Sequence, residues 1–254
     1  MKLATESHPF TLLTPAIIGG AEGKFAPAEM RVASIRGQVR WWHRKTGLIP
    51  SFNDVWGQTD GAVIASKVSL VLDPSTPASH LDASILPHKQ SATRDAIAPC
   101  QSFTLTLRRL VGCGDAHWSA ARKAVKLWLL LGGLGLRVNR AAGSVWPLGD
   151  WVPQDEEAFK SLLQDLGYTQ PVQLAAAGLA STPQDLRHHA SDTVKGSPHL
   201  FGEIQPQRKP SPLKMKVIRF GEQYRLLLTG LDASNMAAAR NALASKPLGK
   251  VPWL

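Results

Sequence analysis

Arg31-Val32-Ala33-Ser34-Ile35-Arg36-Gly37-Gln38-Val39-Arg40-Trp41-Trp42-His43-Arg44-Lys45-Thr46 is the stretch that decides how this chain folds. Val32, Ile35, Val39 and Trp42 recur at the three- and four-residue spacing of one helix face, so an amphipathic helix is expected from Arg31 to Thr46, stopped by Gly47. On its N-terminal side, the apolar run Phe10 to Leu13 ends at Thr14-Pro15 and reads as a strand. A glycine-rich loop follows (Gly19-Gly20-Ala21-Glu22-Gly23) and runs on to Pro27.

On the C-terminal side, Lys67 to Leu72 alternates like a strand, and Pro74 to Pro99 is polar, turn-rich and expected to be a loop or insertion. Phe103, Leu105 and Leu107 alternate with Thr104, Thr106 and Arg108, a half-buried strand. His117 to Leu131 reads as a helix, Gly132-Gly133 breaks it, and Ser144-Val145-Trp146 begins a last strand. The order is strand, helix, strand, strand, helix, strand, so the expected fold class is α+β, a ferredoxin-like (RRM-like) domain over residues 1–149. Residues 150–254 are expected to form a second, reduced α+β domain. It would hold an acidic helix from Asp155 to Leu166, a loop from Thr182 to Lys209, a hairpin about Gly221 (Leu213 to Arg219, Tyr224 to Leu231) and a final helix from Ala233 to Ala244 capped by Asp232.

Composition limits the function classes. The 254 residues are 44% hydrophobic and 19% charged, which is ordinary globular usage. There are 29 Lys and Arg against 19 Asp and Glu, a net charge of +10 that favours polyanionic partners. The longest apolar stretch, Leu127 to Leu136, is too short to span a bilayer and is interrupted by glycines, so no membrane role is expected. Met1 to His8 lacks an apolar run behind it and does not read as a signal peptide. The only cysteines, Cys100 and Cys113, fit free thiols in a cytoplasmic protein, and no ligand set points to a metal or other cofactor.

Two segments concentrate the candidate binding residues. Between Arg31 and Lys45 lie five basic residues and no acidic one, and Arg36, Arg40 and Arg44 form one stripe at i, i+4, i+8. Like charges at that spacing cost about a few tenths of a kcal/mol each, a penalty that an anion would relieve. The arginine fork suits phosphate oxygens and also stacks on bases. Trp41 points off the apolar face and is free to stack on a base or to pack under a neighbouring loop. The second segment is residues 132–143, where Gly133 and Gly135 permit close backbone approach and Arg137 and Arg140 add charge. Its bland reading is a helix end followed by a glycine-rich turn.

Leu13-Thr14-Pro15-Ala16-Ile17-Ile18-Gly19-Gly20-Ala21, then Arg31, then Ser34 to Arg44, resembles the RAMP superfamily, in particular the subunit of the type III-B (Cmr) CRISPR effector complex near the 3′ end of the guide RNA. Trp56-Gly57, Pro99 to Phe103, the glycine loop and Ser211-Pro212-Leu213 resemble further blocks of that family. The family loop reads Arg-Gly-aromatic-Gly where this chain has Arg140-Ala141-Ala142-Gly143, and the family often has a third tryptophan at the position of His43.

The resemblance implies a non-catalytic, RNA-binding subunit that holds the 3′ region of the guide RNA and admits single-stranded target RNA for antiviral defence. Its partners would be CRISPR guide RNA, target RNA and other RAMP subunits. The binding set would be Gly19, Gly20, Arg31, Arg36, Arg40, Trp41, Arg44, Lys45, Gly133, Gly135, Arg137 and Arg140.

An enzyme is not expected. The alternative is a RAMP-type endoribonuclease with His43 as acid or base, since it shares the arginine helix. Target-cleaving relatives carry an aspartate in the loop after the first strand, where this chain offers Glu22 and Glu29 but no Asp. A scaffold whose basic face meets an acidic protein is a further reading.

Overall fold

The computed structural model describes residues 3–19, 26–73, 78–87, 92–175, 180–193, 211 and 213–230. The chain is a mixed α+β protein. A four-stranded sheet has the order β2-β5-β1-β6, from β1 (Thr5–Leu12), β2 (Val68–Leu72), β5 (Ser102–Arg109) and β6 (Val145–Pro147), with antiparallel neighbours throughout. Helix α1 (Val32–Thr46) joins β1 to β2, and α3 (Asp115–Leu131) joins β5 to β6.

The strand register explains the core. Phe10 faces Phe103 and His8 faces Leu105, so Phe10, Leu12, Phe103, Leu105 and Leu107 share the buried face. Trp128 of α3 meets the Phe10 ring edge-on at 5.5 Å. The opposite face carries Thr5, Ser7, Thr104, Thr106 and Arg108 along β1 and β5, and at its β6 edge Trp146, which is buried. An RNA recognition module stacks bases on aromatics at that face. Here β1 and β5 offer no aromatic at that face, and Trp146 is packed against Phe159 and Phe220.

Helix α1 ends where the sequence indicates: Gly47 turns left-handed at φ 64° and its N–H reaches back to the Arg44 carbonyl. Helix α4 (Glu156–Asp165) opens on Asp155, whose carboxylate accepts from the Ala158 N–H at 2.8 Å. Two short elements, α2 (Phe52–Trp56) and β7 (Val172–Leu174), carry no periodic signal in the sequence.

One expectation is sharpened and one is corrected. The stretch from Pro74 to Pro99 contains a hairpin of β3 (His80–Ser84) and β4 (Thr93–Ile97), whose small and polar residues hide the strand pattern. The described part of Thr182 to Lys209 is helix α5 (Pro183–Thr193), not a loop. Thr182 accepts from the Asp185 N–H, Pro183 fills the first turn, and Leu186 and Ala190 are buried one turn apart. The expected helix from Ala233 to Ala244 lies outside the described residues.

A second sheet has the order β7-β9-β8, with β8 (Leu213–Phe220) and β9 (Gln223–Gly230) forming the expected hairpin. It is joined to the first sheet without a break in the core. Trp146 of β6 lies 6.3 Å from Phe159 of α4 and 6.2 Å from Phe220 of β8. Such pairs add roughly 0.5–1.5 kcal/mol each beyond their burial. Lys216 of β8 is buried and donates to the Leu129 carbonyl of α3 at 2.6 Å.

Candidate nucleic-acid interface

The basic residues of α1 fall on two adjacent ridges. On the first, Arg36 donates to the Trp56 carbonyl, while Arg40 and Arg44 each place the guanidinium carbon 5.7 Å from the Phe52 ring centroid. The stripe thus meets α2, so Arg36 has a structural partner and Arg44 remains exposed. Arg36 is lowered in pKa by burial and then by the charge of Arg40. Arg31 sits half-buried at the N-cap of α1, where its carbonyl accepts from the Ser34 and Ile35 N–H groups.

On the second ridge, Trp41 and Lys45 are one turn apart and meet Lys214 of β8. The Lys214 ammonium lies 3.8 Å from the Trp41 ring centroid and 5.5 Å from that of Trp42, with Lys45 at 5.8 Å from Trp41. Burial, and then the charge of Lys45, pulls Lys214 down to about 8. Sequence reasoning misses Lys214 because Leu213-Lys214-Met215-Lys216-Val217 reads as alternation with lysines in water. Both faces of β8 are in fact covered.

The glycine loop is clamped to the exit of β1. The Thr14 hydroxyl donates to the Ala141 carbonyl at 2.7 Å and accepts from the Ser144 N–H at 2.9 Å, and the Gly143 N–H donates to the Pro15 carbonyl. Gly133 is buried, and a Cβ at Gly143 would lie 1.9 Å from the Leu134 carbonyl oxygen, so these glycines serve close backbone packing. Ala141 takes the left-handed φ of 61° that glycine would adopt freely. Arg137 and Arg140 are half-buried, and Arg140 is lowered by burial and then by Arg137. The loop meets β8, where the Met215 N–H donates to the Asn139 carbonyl and the Ala141 N–H to the Met215 carbonyl.

Gly135 and Gly19 are exposed, and Gly19 lines a cleft of about 480 Å³ with Ile18, Leu136, Asp82 and Asp95. Gly20 lies outside the described residues. The structure therefore brings Trp41 and Lys45 together with Lys214, and sets Arg140 beside the same strand. It does not bring Gly133 to a surface.

His43 is buried and fully engaged. Its Nδ1 accepts from the Trp56 indole N–H at 3.0 Å, which leaves Nε2–H to donate to the carbonyls of Pro50 at 2.9 Å and Leu48 at 3.3 Å. Burial lowers its pKa, partly opposed by those carbonyls. The ring thus occupies a core position and closes the α1–α2 corner. Among the described residues no group of three or more His, Cys, Asp or Glu could hold a metal ion, and no helix is long and apolar enough to cross a membrane.

No protein-family model and no curated protein matches the sequence. Solved structures do share the fold. Cmr1 from Pyrococcus furiosus in its apo form superposes with a TM-score of 0.63 at 16% identity, over 90% of this chain and 88% of that one. A chain of the type III-B Cmr-beta bound to cognate target RNA gives 0.58 at 11% identity, over 96% and 99%. A chain of the same assembly bound to cognate target RNA and AMPPnP gives 0.56 at 10% identity, over 91% and 94%. The chain has the fold of these Cmr subunits along nearly its whole length.

Proposed function

We propose that this chain is a RAMP subunit of a type III-B CRISPR effector, cytoplasmic, non-catalytic and bound to single-stranded RNA. The observation that carries the reading is the convergence of cations in like-charged pairs: Arg40 and Arg44 over the Phe52 ring, and Lys45 and Lys214 over the Trp41 ring. Each pair raises the energy of the protein alone and is relieved by a phosphate chain. Such contacts carry no sequence information, which suits guide RNAs of varied sequence. The shared fold with chains of a Cmr assembly solved with target RNA supports the same reading. The guide 3′ position rests on the Ser34 to Arg44 motif. The order β2-β5-β1-β6 supports reading residues 1–149 as a ferredoxin-like unit with the β3–β4 hairpin inserted, followed by a reduced α+β unit.

A non-catalytic role is favoured by the enclosure of His43, since a general acid must reach the reacting phosphate.

The test is binding of a labelled single-stranded RNA of arbitrary sequence. Arg40→Glu with Arg44→Glu should weaken binding about tenfold or more, and should reduce the slope of log affinity against log salt by about 0.7 for each phosphate that the variant no longer neutralises. Ser7→Glu, on the exposed sheet face, should leave both unchanged. Equal binding by the arginine variant and wild type, with both folded, would remove α1 from the interface.

A further inference from the structure

Lys214 and Lys45 converge on one tryptophan from two elements distant in sequence. Lys45 comes from the last turn of α1 and Lys214 from the second position of β8. Two ammonium groups held against one indole repel each other and draw only a modest cation–π return. Among the described residues, no other charged or titratable neighbour compensates them. Tyr168, 6.1 Å from Trp42, is pushed up to about 12 and is neutral across the physiological range. The cross-strand neighbour of Lys214 on β9 is Thr229, which is uncharged. The glycine loop brings Arg140, another cation, to the backbone of Met215. Among the described residues, no carboxylate forms an ion pair with either lysine.

We infer that Lys45 and Lys214, with Trp41 beside them, form a two-lysine seat for one RNA phosphate, with the Trp41 ring as the stacking platform for the adjoining base or sugar. The inference rests on the RNA-binding reading and deepens it, because it makes the C-terminal hairpin part of the interface. The phosphate would supply the counter-charge that the described residues do not, and the Lys214 ammonium would turn from the ring to the anion.

A proton is linked to this exchange. In the free protein Lys214 is held down to about 8, chiefly by burial and then by Lys45. A bound phosphate would raise it again, so binding takes up a proton above that pH. Affinity should therefore fall as pH rises through about 8. Lys214→Arg keeps its charge throughout and should bind with a flat pH profile.

The experiment measures the affinity of the full chain for labelled oligoadenylate, whose bases do not titrate in this range, from pH 7 to 9.5. Wild type should lose affinity with a slope of log K approaching −1 per pH unit. Lys214→Met should bind more weakly at neutral pH, with a salt slope lower by about 0.7, and without that pH dependence. Tryptophan fluorescence without RNA provides a separate reading. Wild type should show a transition near pH 8 that is absent from Lys214→Met and from Trp41→Phe. If wild type binds RNA but Lys214→Met matches it in affinity, salt slope and pH profile, the two-lysine seat is wrong while the RNA reading stands. If wild type binds no RNA, or prefers oligoglutamate, the RNA reading falls and takes the seat with it.

Discussion

At the scale of single residues, the positions that mislead a reader of the sequence are polar groups that the fold buries. His43 sits beside arginines on a basic helix, yet its ring closes a corner against Trp56, Leu48 and Pro50. Nothing in the local spacing reveals this, because the partners come from α2 and the turn before it. Lys216 is the sharper case. It is buried, 5.7 Å from the Trp146 ring centroid, and its pKa is lowered well below 10.5 by desolvation. Folding thus favours its neutral form, so the unfolded chain binds the extra proton. Its ionisation penalty is absent above pH 10.5 and grows as pH falls toward the folded value. Wild type should therefore gain stability relative to Lys216→Met as pH is raised from 7 to 10.5, as read by urea denaturation. Parallel curves for the two proteins would mean that Lys216 is charged in the fold.

At the scale of elements, legibility follows the strength of the periodic signal. Helix α1 spans Val32–Thr46 against an expected Arg31 to Thr46, because four apolar positions repeat and a glycine ends the pattern. Helix α5 is hidden by its polar, histidine-bearing sequence, although Thr182, Pro183 and Asp185 are a start signal by position. The β3–β4 hairpin is hidden because Asp82 and Asp95 face each other where strands usually carry apolar or β-branched residues. The glycines divide in the same way. Gly37 lies exposed inside α1 with open space at its Cβ position, so Gly37→Ala should stabilise the chain by about 0.5–1 kcal/mol. At Gly143, left-handed at φ 58°, a Cβ would meet the Leu134 carbonyl, and Gly143→Ala should destabilise by more than about 2 kcal/mol. Thermal melts of the two variants against wild type check both signs, and a neutral Gly143→Ala would mean that the loop does not pack on itself as described.

At the scale of the whole molecule, the link between the halves is what the sequence conceals most. The change of pattern after Asp150 suggests a boundary near Gly149, and across it the aromatic cluster of Trp146, Phe159 and Phe220 and the Lys216 bond to α3 connect the C-terminal hairpin to the first sheet. That connection carries Lys214 to Trp41 and sets Arg140 beside β8. The basic residues are therefore drawn from α1, the glycine loop and β8, while the open face of β1 and β5 carries no aromatic and Trp146 on β6 is buried. The net charge of +10 favours a polyanion, and the resemblance in α1 is what suggests RNA. The route across the surface needs the tertiary packing.

The most direct measurement is affinity purification of the tagged chain from its native host, with sequencing of bound RNA and identification of co-purifying proteins. The account predicts short RNAs sharing a repeat-derived end, together with other RAMP subunits, both released by high salt. Recovery of no RNA, or of random cellular RNA without those partners, would contradict it.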